Sequence, residues 1–543
     1  MHHPSMLGFI AAALAGSAQA VPYQDQSDGY LAPLITPTAP PVGGPLSHLS
    51  VQGGRSPSDY LISDSYLVVF KKGTRAQHSH HKEKVKTLWR QDQQQRLQSD
   101  SFGVAGLFSG IKHHFDIGAD DFHGYSIHVP EALISIIRSF SEVAYVERDS
   151  RVWINDQFDN PTTVPVAENV AQPASEQIDV EYGAPWGLAR ISHRHKLKFS
   201  TFNVYPFEDP AGLGVDAYVI DTGVNIEHEE LEGRAKWGKT IPDDVDIDSN
   251  GHGSHVAGTI ASRTYGVAKN ATIIAVKVLG AGGSGSMSDV VAGVVWAAEA
   301  AATKARDEAA KKDSKHKGSV ANMSLGGGNS PSLDQAVNAA VDTGLHFAVA
   351  AGNDNRDACT FSPAAAKKPI TVGASTIQDE RAYFSNHGKC VDIFAPGLNI
   401  KSIWNSGKKS TNTISGTSMA SPHIAGLAAY FLSIYPEKLD LASLGIFDDE
   451  EEEQDEFVAS NGEAYDLGQY FSWNLAQSQG QLAFGKFKEA VGYGAPIKSK
   501  DESQKLSTRM LKKAMIRMST SGVLSKLPGQ TCNYLAYNNA TLS

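Results

Sequence analysis

Three cysteines in 543 residues, Cys359, Cys390 and Cys532, are too few for a scaffold held together by disulfides. No Cys-x-x-Cys pair or Cys/His array with zinc-ligand spacing occurs. Positive charge is also short, since 48 Lys+Arg stand against 59 Asp+Glu for a net charge of −11. That balance argues against a general nucleic-acid binder, which needs a basic surface to displace counterions. After residue 20 no run approaches the ~18–20 apolar residues of a membrane span. Hydrophobic residues at 41% and charged residues at 20% are near globular averages, which excludes a largely disordered chain. The negative charge is local. Asp448, Asp449, Glu450 to Glu453, Asp455 and Glu456 place eight carboxylates in nine residues, and without them the net charge would be −3.

What is present divides the chain into segments. Residues 1–20 hold a short apolar core, Leu7–Ala15, followed by Ala18-Gln19-Ala20, which reads as a cleavable secretory signal. Residues 21–61 are rich in Pro, Gly and Ser and read as a linker. Residues 62–153 alternate strand and helix patterns: strand Tyr66–Phe70, a polar helix over 81–97, strand Tyr125–Val129, helix Glu131–Phe140 and strand Val143–Trp153. That order suits a small α+β sandwich. Residues 154–182, with Pro161, Pro165 and Pro173, form a second linker. From 183 to 543 short apolar strands (Val215–Ile220, Ile273–Leu279, Val320–Leu325, Phe347–Ala351, Ile370–Val372) alternate with helices over Met287–Lys311 and Leu333–Val341. Strands apolar on both faces and separated by helices imply a parallel α/β sheet. A buried helix over 417–435 and an amphipathic one over 506–519 flank an acidic insertion at 446–503, read as a disordered surface loop against a regulatory insertion or a retained intron.

Three short segments carry the chemistry. Ile220-Asp221-Thr222-Gly223 places a carboxylate at a strand's C-terminal end. Asn250-Gly251-His252-Gly253-Ser254-His255 places an imidazole at the start of a small-residue helix. Ser415-Gly416-Thr417-Ser418-Met419-Ala420 places a hydroxyl at a helix N-terminus. A serine hydroxyl is a weak nucleophile until a neighbouring base takes its proton, so Ser418 requires His252. Asp221 would hold the imidazole tautomer and stabilise its protonated form. Asn353, in Ala350-Ala351-Gly352-Asn353, supplies an amide for the oxyanion, joined by the Ser418 backbone N–H. Each residue alone reads equally well as a cap or turn. Their order Asp, His, Ser, with the Asn353 segment between the last two, does not.

That order and those motifs, with Ala184-Pro185-Trp186-Gly187-Leu188-Ala189-Arg190 and Asn322-Met323-Ser324-Leu325-Gly326-Gly327-Gly328, resemble the subtilisin family of serine proteases, in its proteinase K branch near the fungal vacuolar protease B (cerevisin) group. The resemblance implies a subtilisin-like parallel sheet with helices on both faces, preceded by a ferredoxin-like inhibitory propeptide at 62–153. It implies a peptide-bond hydrolase made as a zymogen, with Asp221, His252 and Ser418 as triad and Asn353 as oxyanion donor. Gly283, Ser284, Gly285 and Ser324, Leu325, Gly326 become backbone edges for an extended substrate. Ala350, Ala351 and Gly352, with the second edge, are small, uncharged walls of a pocket that would accept large apolar or aromatic P1 side chains. A calcium site would use Asp392 with the carbonyls of Lys367 and Pro369, although no cofactor is needed for the reaction. The expected partners are protein and peptide substrates and the chain's own propeptide, with no nucleic acid, no membrane span and a monomeric state. The expected route is the secretory pathway, to a vacuole lumen or outside the cell. The contrasting reading is an inactive binding protein on the same fold.

Softer expectations concern single residues. Ser254 stands where the family usually has Thr, and Val256 where proteinase K relatives carry a free Cys. Cys359 and Cys390, in loops 31 residues apart, are the favoured disulfide pair, against three unpaired buried thiols. Sequons occur at Asn270, Asn322 and Asn539, of which Asn270 and Asn539 are the better acceptors and Asn322 is expected to be buried. Eight histidines, His48, His78, His80, His81, His113, His114, His123 and His128, fall between signal and residue 153. Protonating them is expected to loosen the propeptide, unless they are merely solvated.

Overall fold

In the run Tyr66–Phe70 successive side chains point to opposite faces of a strand, and both sets are apolar. The reason is visible in a computed structural model, which describes residues 30–38, 60–99, 108–119, 121–154, 178–446 and 506–540. Tyr66, Val68 and Phe70 pack with Val85, Leu133 and Ile137 in the small domain's own core. Leu67 and Val69 pack with Met287, Val290 and Leu333 of the large domain. The small domain therefore has one sheet with helices behind it and the large domain in front.

Its strands are β1 (Leu34–Ile35), β2 (Leu61–Phe70), β3 (Gly110–Ile117), β4 (Phe122–His128) and β5 (Val143–Trp153), ordered β1-β5-β2-β4-β3. Its helices are α1 (His78–Ser99) and α2 (Glu131–Ile137). Two strands depart from the sequence reading. β3 carries Lys112, His113 and His114, and its polar face hides the alternation. β1 lies inside the stretch read as linker 21–61, where it pairs in parallel with Val146 and Glu147 of β5. Ala32 is fully buried, and its N–H donates to the Arg138 carbonyl at 2.8 Å. Two strand residues between prolines offer no period to detect.

The large domain centres on β6 (Val215–Asp221). Later strands are β7 (Ala235–Thr240), β8 (Thr272–Lys277), β9 (Gly318–Met323), β10 (His346–Ala350), β11 (Ile370–Ser375) and β12 (Ile393–Pro396). They run in parallel in the order β12-β11-β10-β9-β6-β8-β7, and two short strands, Tyr534–Leu535 and Thr520–Ser521, extend the β12 edge. One face is covered by α3 (His252–Ala261) and α6 (Thr417–Ile434), the other by α4 (Met287–Ala309) and α5 (Pro331–Asp342). The last helix is α7 (Thr508–Met518). From β6 the chain first builds one side of the sheet and then the other. Such a switch leaves a crevice at the strands' C-terminal ends, where open α/β sheets bind ligands.

Residues 1–20, most of 154–182 and nearly all of 446–503, including the acidic block, lie outside the described residues, as does His48. No helix among the described residues is long and apolar enough to cross a membrane.

Candidate active site

Asp221 ends β6, and its backbone carbonyl is held by the Val278 N–H at 2.9 Å. Its Oδ1 lies 2.7 Å from His252 Nδ1, and both side chains are fully buried. Burial raises the Asp221 carboxyl above its ordinary value, while the adjacent imidazole and the Thr222 N–H pull it back down. The spacing of this pair is enforced by Asp248, which sequence reading passed over. Asp248 accepts from the Thr222 hydroxyl, the Asn250 and Gly251 N–H groups, and both the N–H and hydroxyl of Ser254. It thus ties the loop after Asp221 to the first turn of α3. Ser254, 2.6 Å from Asp248 through its hydroxyl, makes the bond a threonine could make there. Gly253 allows the close approach, since a Cβ there would lie 2.0 Å from the Gly223 carbonyl oxygen.

Ser418 is the second residue of α6, all of whose residues are buried. Pro422 sits four residues on and has no N–H, so the Ser418 carbonyl lacks its ordinary helical partner. Ser324 fills the gap, its hydroxyl donating to that carbonyl at 2.8 Å. The Ser418 hydroxyl donates in turn to the Ser324 carbonyl at 3.3 Å. Asn322, buried as expected, donates to the Ser324 hydroxyl and accepts from Ser421. The Asn353 Oδ1 accepts from both the N–H and hydroxyl of Thr417, each at 2.8 Å. With its oxygen committed, that side chain's NH2 is its donor end. Asn386, another residue with no sequence signal beyond a loop asparagine, braces the same turn by bonding Ala351, Asp354 and Arg356.

The two backbone edges enclose the end of β5. Ser284–Ser286 pairs antiparallel with Arg151–Trp153, and the Ile154 N–H donates to the Gly283 carbonyl at 2.9 Å. On the other side Trp153 and Gly326 exchange backbone hydrogen bonds, both 3.3 Å long. An extended chain therefore lies between the edges, held by its main chain. Gly283 adopts φ +66°, and a Cβ there would meet Ile154 at 2.5 Å. Leu325, Ala350 and Ala351 are buried behind the cleft.

Two carboxylates of β5 fasten the small domain to helix starts. Asp149 accepts from the Ser288 N–H and hydroxyl in the first turn of α4. Glu147 accepts from the Ser330 hydroxyl and from the Ser332 N–H and hydroxyl at the start of α5. Helix N-termini attract such anions. Burial nevertheless raises Glu147 to about 7, the serine hydrogen bonds only partly offsetting it. Asp334 is raised by burial to about 8, with Glu147 adding to the push.

The histidines of the small domain divide between its interface and its core. His113 Nε2 is 2.6 Å from Asp289 Oδ1, a contact between the two domains. His78 and His81 are buried inside the small domain, where His78 stacks on Phe70 with ring centroids 4.0 Å apart. Burial holds His78 down to about 4, helped by His123, and lowers His81 as well. Two limbs follow. Glu147, raised on docking, favours the complex below its free value near 4.5 and loses that contribution as pH rises through about 7. His78, lowered on folding, stabilises the small domain above pH 6.5 and loses that contribution as pH falls toward about 4. Binding of the small domain to the large one is therefore expected to be tightest near pH ~6 and about tenfold weaker by pH ~8.5. Glu147→Gln should flatten the alkaline limb and His78→Phe the acid one. An affinity independent of pH for the unsubstituted small domain would count against both assignments.

The calcium expectation meets a different occupant. Lys512 Nζ of α7 lies 2.7 Å from the Pro369 carbonyl, 3.2 Å from that of Lys367 and 2.9 Å from Asp392 Oδ2. The three oxygens do not fit a metal, because an ammonium already stands among them. Cys359 and Cys390 are joined, their Cα atoms 5.3 Å apart. Cys532 is unbridged, and burial pushes its thiol up to about 12. Asn539 is exposed and Asn270 half-buried.

A hydroxyl at a helix start, a buried Asp–His pair and a backbone-lined cleft, all at the switch point of a parallel sheet, describe a serine hydrolase of subtilisin architecture. Known proteins give the family. A profile described as Subtilase family matches residues 214–455, and one described as Peptidase inhibitor I9 matches 65–155. The subtilisin-like serine protease Pen c 2 of Penicillium citrinum is 46% identical over 524 residues, covering 94% of this chain and 95% of that protein. Alkaline protease 2 of Aspergillus fumigatus is 55% identical over 388 residues, covering 69% and 73%. Subtilisin-like protease 8 of Arthroderma benhamiae is 56% identical over 380 residues, with the same coverage. The chain belongs to the subtilase family, as a subtilisin-like serine protease made as a zymogen with an I9 propeptide.

Proposed function

We propose that Ser418 is the nucleophile, His252 its general base, Asp221 the residue that orients and stabilises the imidazole, and Asn353 an oxyanion donor. The observation that carries this reading is the buried 2.7 Å contact between Asp221 and His252, at the start of a helix that packs against the one whose second residue is Ser418. His252 takes the Ser418 proton as the hydroxyl oxygen attacks the scissile carbonyl, and the developing negative charge falls on the carbonyl oxygen. The Asn353 NH2 and the Ser418 N–H stabilise that charge. Returning the proton to the leaving amine frees the first product, and water repeats the sequence on the acyl-enzyme. A fluorophosphonate probe tests the reading: it should label matured enzyme and fail on Ser418→Ala.

The same reading extends to specificity and processing. Gly283, Ser284 and Gly285 with Ser324, Leu325 and Gly326 bind substrate by its main chain, and β5 lies there as a product-like inhibitor. Maturation then cuts within 154–182, freeing a peptidase domain that begins near residue 183 and works as a monomer in a vacuole lumen or outside the cell. Ala350, Ala351 and Gly352, taken as the pocket walls, carry no charge of their own to recognise a basic side chain. Fluorogenic peptides should be cut at least tenfold faster with Phe, Tyr or Leu at P1 than with Lys or Arg, a difference of about 1.4 kcal/mol or more. A preference for Lys or Arg would refute the pocket assignment.

A further inference from the structure

The Lys512 side chain crosses from α7 to two loops of the central sheet that no hydrogen bond of the reaction requires. The carbonyls of Lys367 and Pro369 lie just before β11, and Asp392 just before β12. Asp392 is itself fixed, its Oδ2 accepting from the Thr371 N–H at 2.8 Å and its own N–H donating to the Thr371 carbonyl at 2.9 Å. Two carbonyls and a carboxylate thus converge on one point, a cation-binding set held by two neighbouring strands.

The occupant matches that set in number and distance. A lysine ammonium has three N–H donors and no acceptor, and three oxygens surround it. Their separations of 2.7, 2.9 and 3.2 Å are hydrogen-bond lengths. Calcium would draw six to eight oxygens to about 2.3–2.6 Å. It could not share these three with an ammonium already between them. Lys512 is positioned by the rest of its helix, since Leu511, Ala514, Met515 and Met518 are buried in the large core. Lys512 and Asp392 side chains are only 20% and 24% exposed, so the pair is partly shielded from solvent.

We propose that Lys512 is a built-in cation that replaces calcium at this cage, so that α7 fastens the starts of β11 and β12 without a metal. The tether makes the cation intramolecular, and neither dilution nor a chelator removes it. The rotamer freedom lost in ordering one long side chain opposes it. Because β11 pairs with β10, whose end leads to Asn353, the clamp lies one strand from the oxyanion turn. It also makes the chain after the acidic insertion necessary to the rigidity of the domain before it.

Removing the ammonium should turn the cage into a site for a free cation. Full-length chain carrying Ser418→Ala, to prevent self-digestion, would be compared with the same chain carrying also Lys512→Ala or Lys512→Arg. Thermal unfolding would be followed in chelator, in calcium and in methylammonium. Lys512→Ala should lose several degrees of Tm in chelator and recover most of them with calcium or methylammonium. Lys512→Arg should retain more Tm in chelator than Lys512→Ala and show a smaller calcium response. A calcium or methylammonium response no larger in Lys512→Ala than in the Lys512 parent overturns the proposal. If Lys512→Ala does not fold, the parent still decides: a calcium-dependent rise in Tm that Asp392→Asn abolishes would show metal displacing the lysine, and its absence supports the built-in cation.

Discussion

Replacing Ser418 by alanine is expected to lower kcat about 10⁶-fold and to leave the chain uncut at its full mass, 58.1 kDa before removal of any signal. The magnitude is the one measured in subtilisin itself and is borrowed here rather than derived. The physical reason is that alanine leaves no oxygen to form the acyl-enzyme. His252 and Asp221 then hold a base with nothing to deprotonate except water. Substituting His252 as well should add almost nothing, because the residues act as one unit. The fold should survive, since Ser418 Oγ makes one 3.3 Å bond, whereas the 2.8 Å bond from Ser324 goes to the Ser418 backbone. Full-length mass on a gel, absence of probe labelling and unchanged thermal unfolding together check this. Processing and turnover at parental rates would remove Ser418 from the proposed role.

The second large effect is expected at Asn353. Asn353→Leu should lower kcat about 10²–10³-fold, or about 2.7–4 kcal/mol, with KM little changed, a size again measured in subtilisin. The split follows from when the bond forms. The carbonyl oxygen carries little charge in the bound substrate and most of a negative charge in the tetrahedral intermediate, so the donor contributes chiefly to the latter. Thr417 makes this donor dependable by holding Asn353 Oδ1 with two bonds, while its hydroxyl accepts from the Gly352 N–H at 3.1 Å. Leucine would remove the acceptor of those two bonds as well, so a modest loss of Tm accompanies the loss of rate. An equal rise in KM with unchanged kcat would instead place Asn353 among the substrate-binding groups.

Much of the candidate site was legible because each part sits where a local pattern changes. Asp221 follows an apolar strand, His252 opens a run of small residues, and Ser418 opens a long apolar helix. The groups that hold them in place carry no such mark. Asp248 lies among other acids in a polar loop, and Asn386 looks like any turn asparagine. Their importance comes from bonds to segments distant in sequence, such as Asn386 to Ala351. Burial likewise sorts the histidines in a way that composition does not. A His-rich stretch suggests a titrating surface, whereas His78 and His81 lie in the small domain's core, and at its interface His113 stands with Glu147 and Asp149.

By its local order alone, the chain determines an α/β sheet preceded by a small α+β unit, because buried parallel strands must be apolar along their whole length. It likewise determines the order of Asp, His and Ser and the place of Asn353, because strand ends and helix starts announce themselves through glycine and small residues. Only the tertiary structure decided what lies between Lys367, Pro369 and Asp392. The local residues of that cage fit a metal as well as an ammonium. The choice rests on a helix more than a hundred residues further on, whose apolar face docks on the core and so delivers Lys512 to oxygens that no periodicity connects to it.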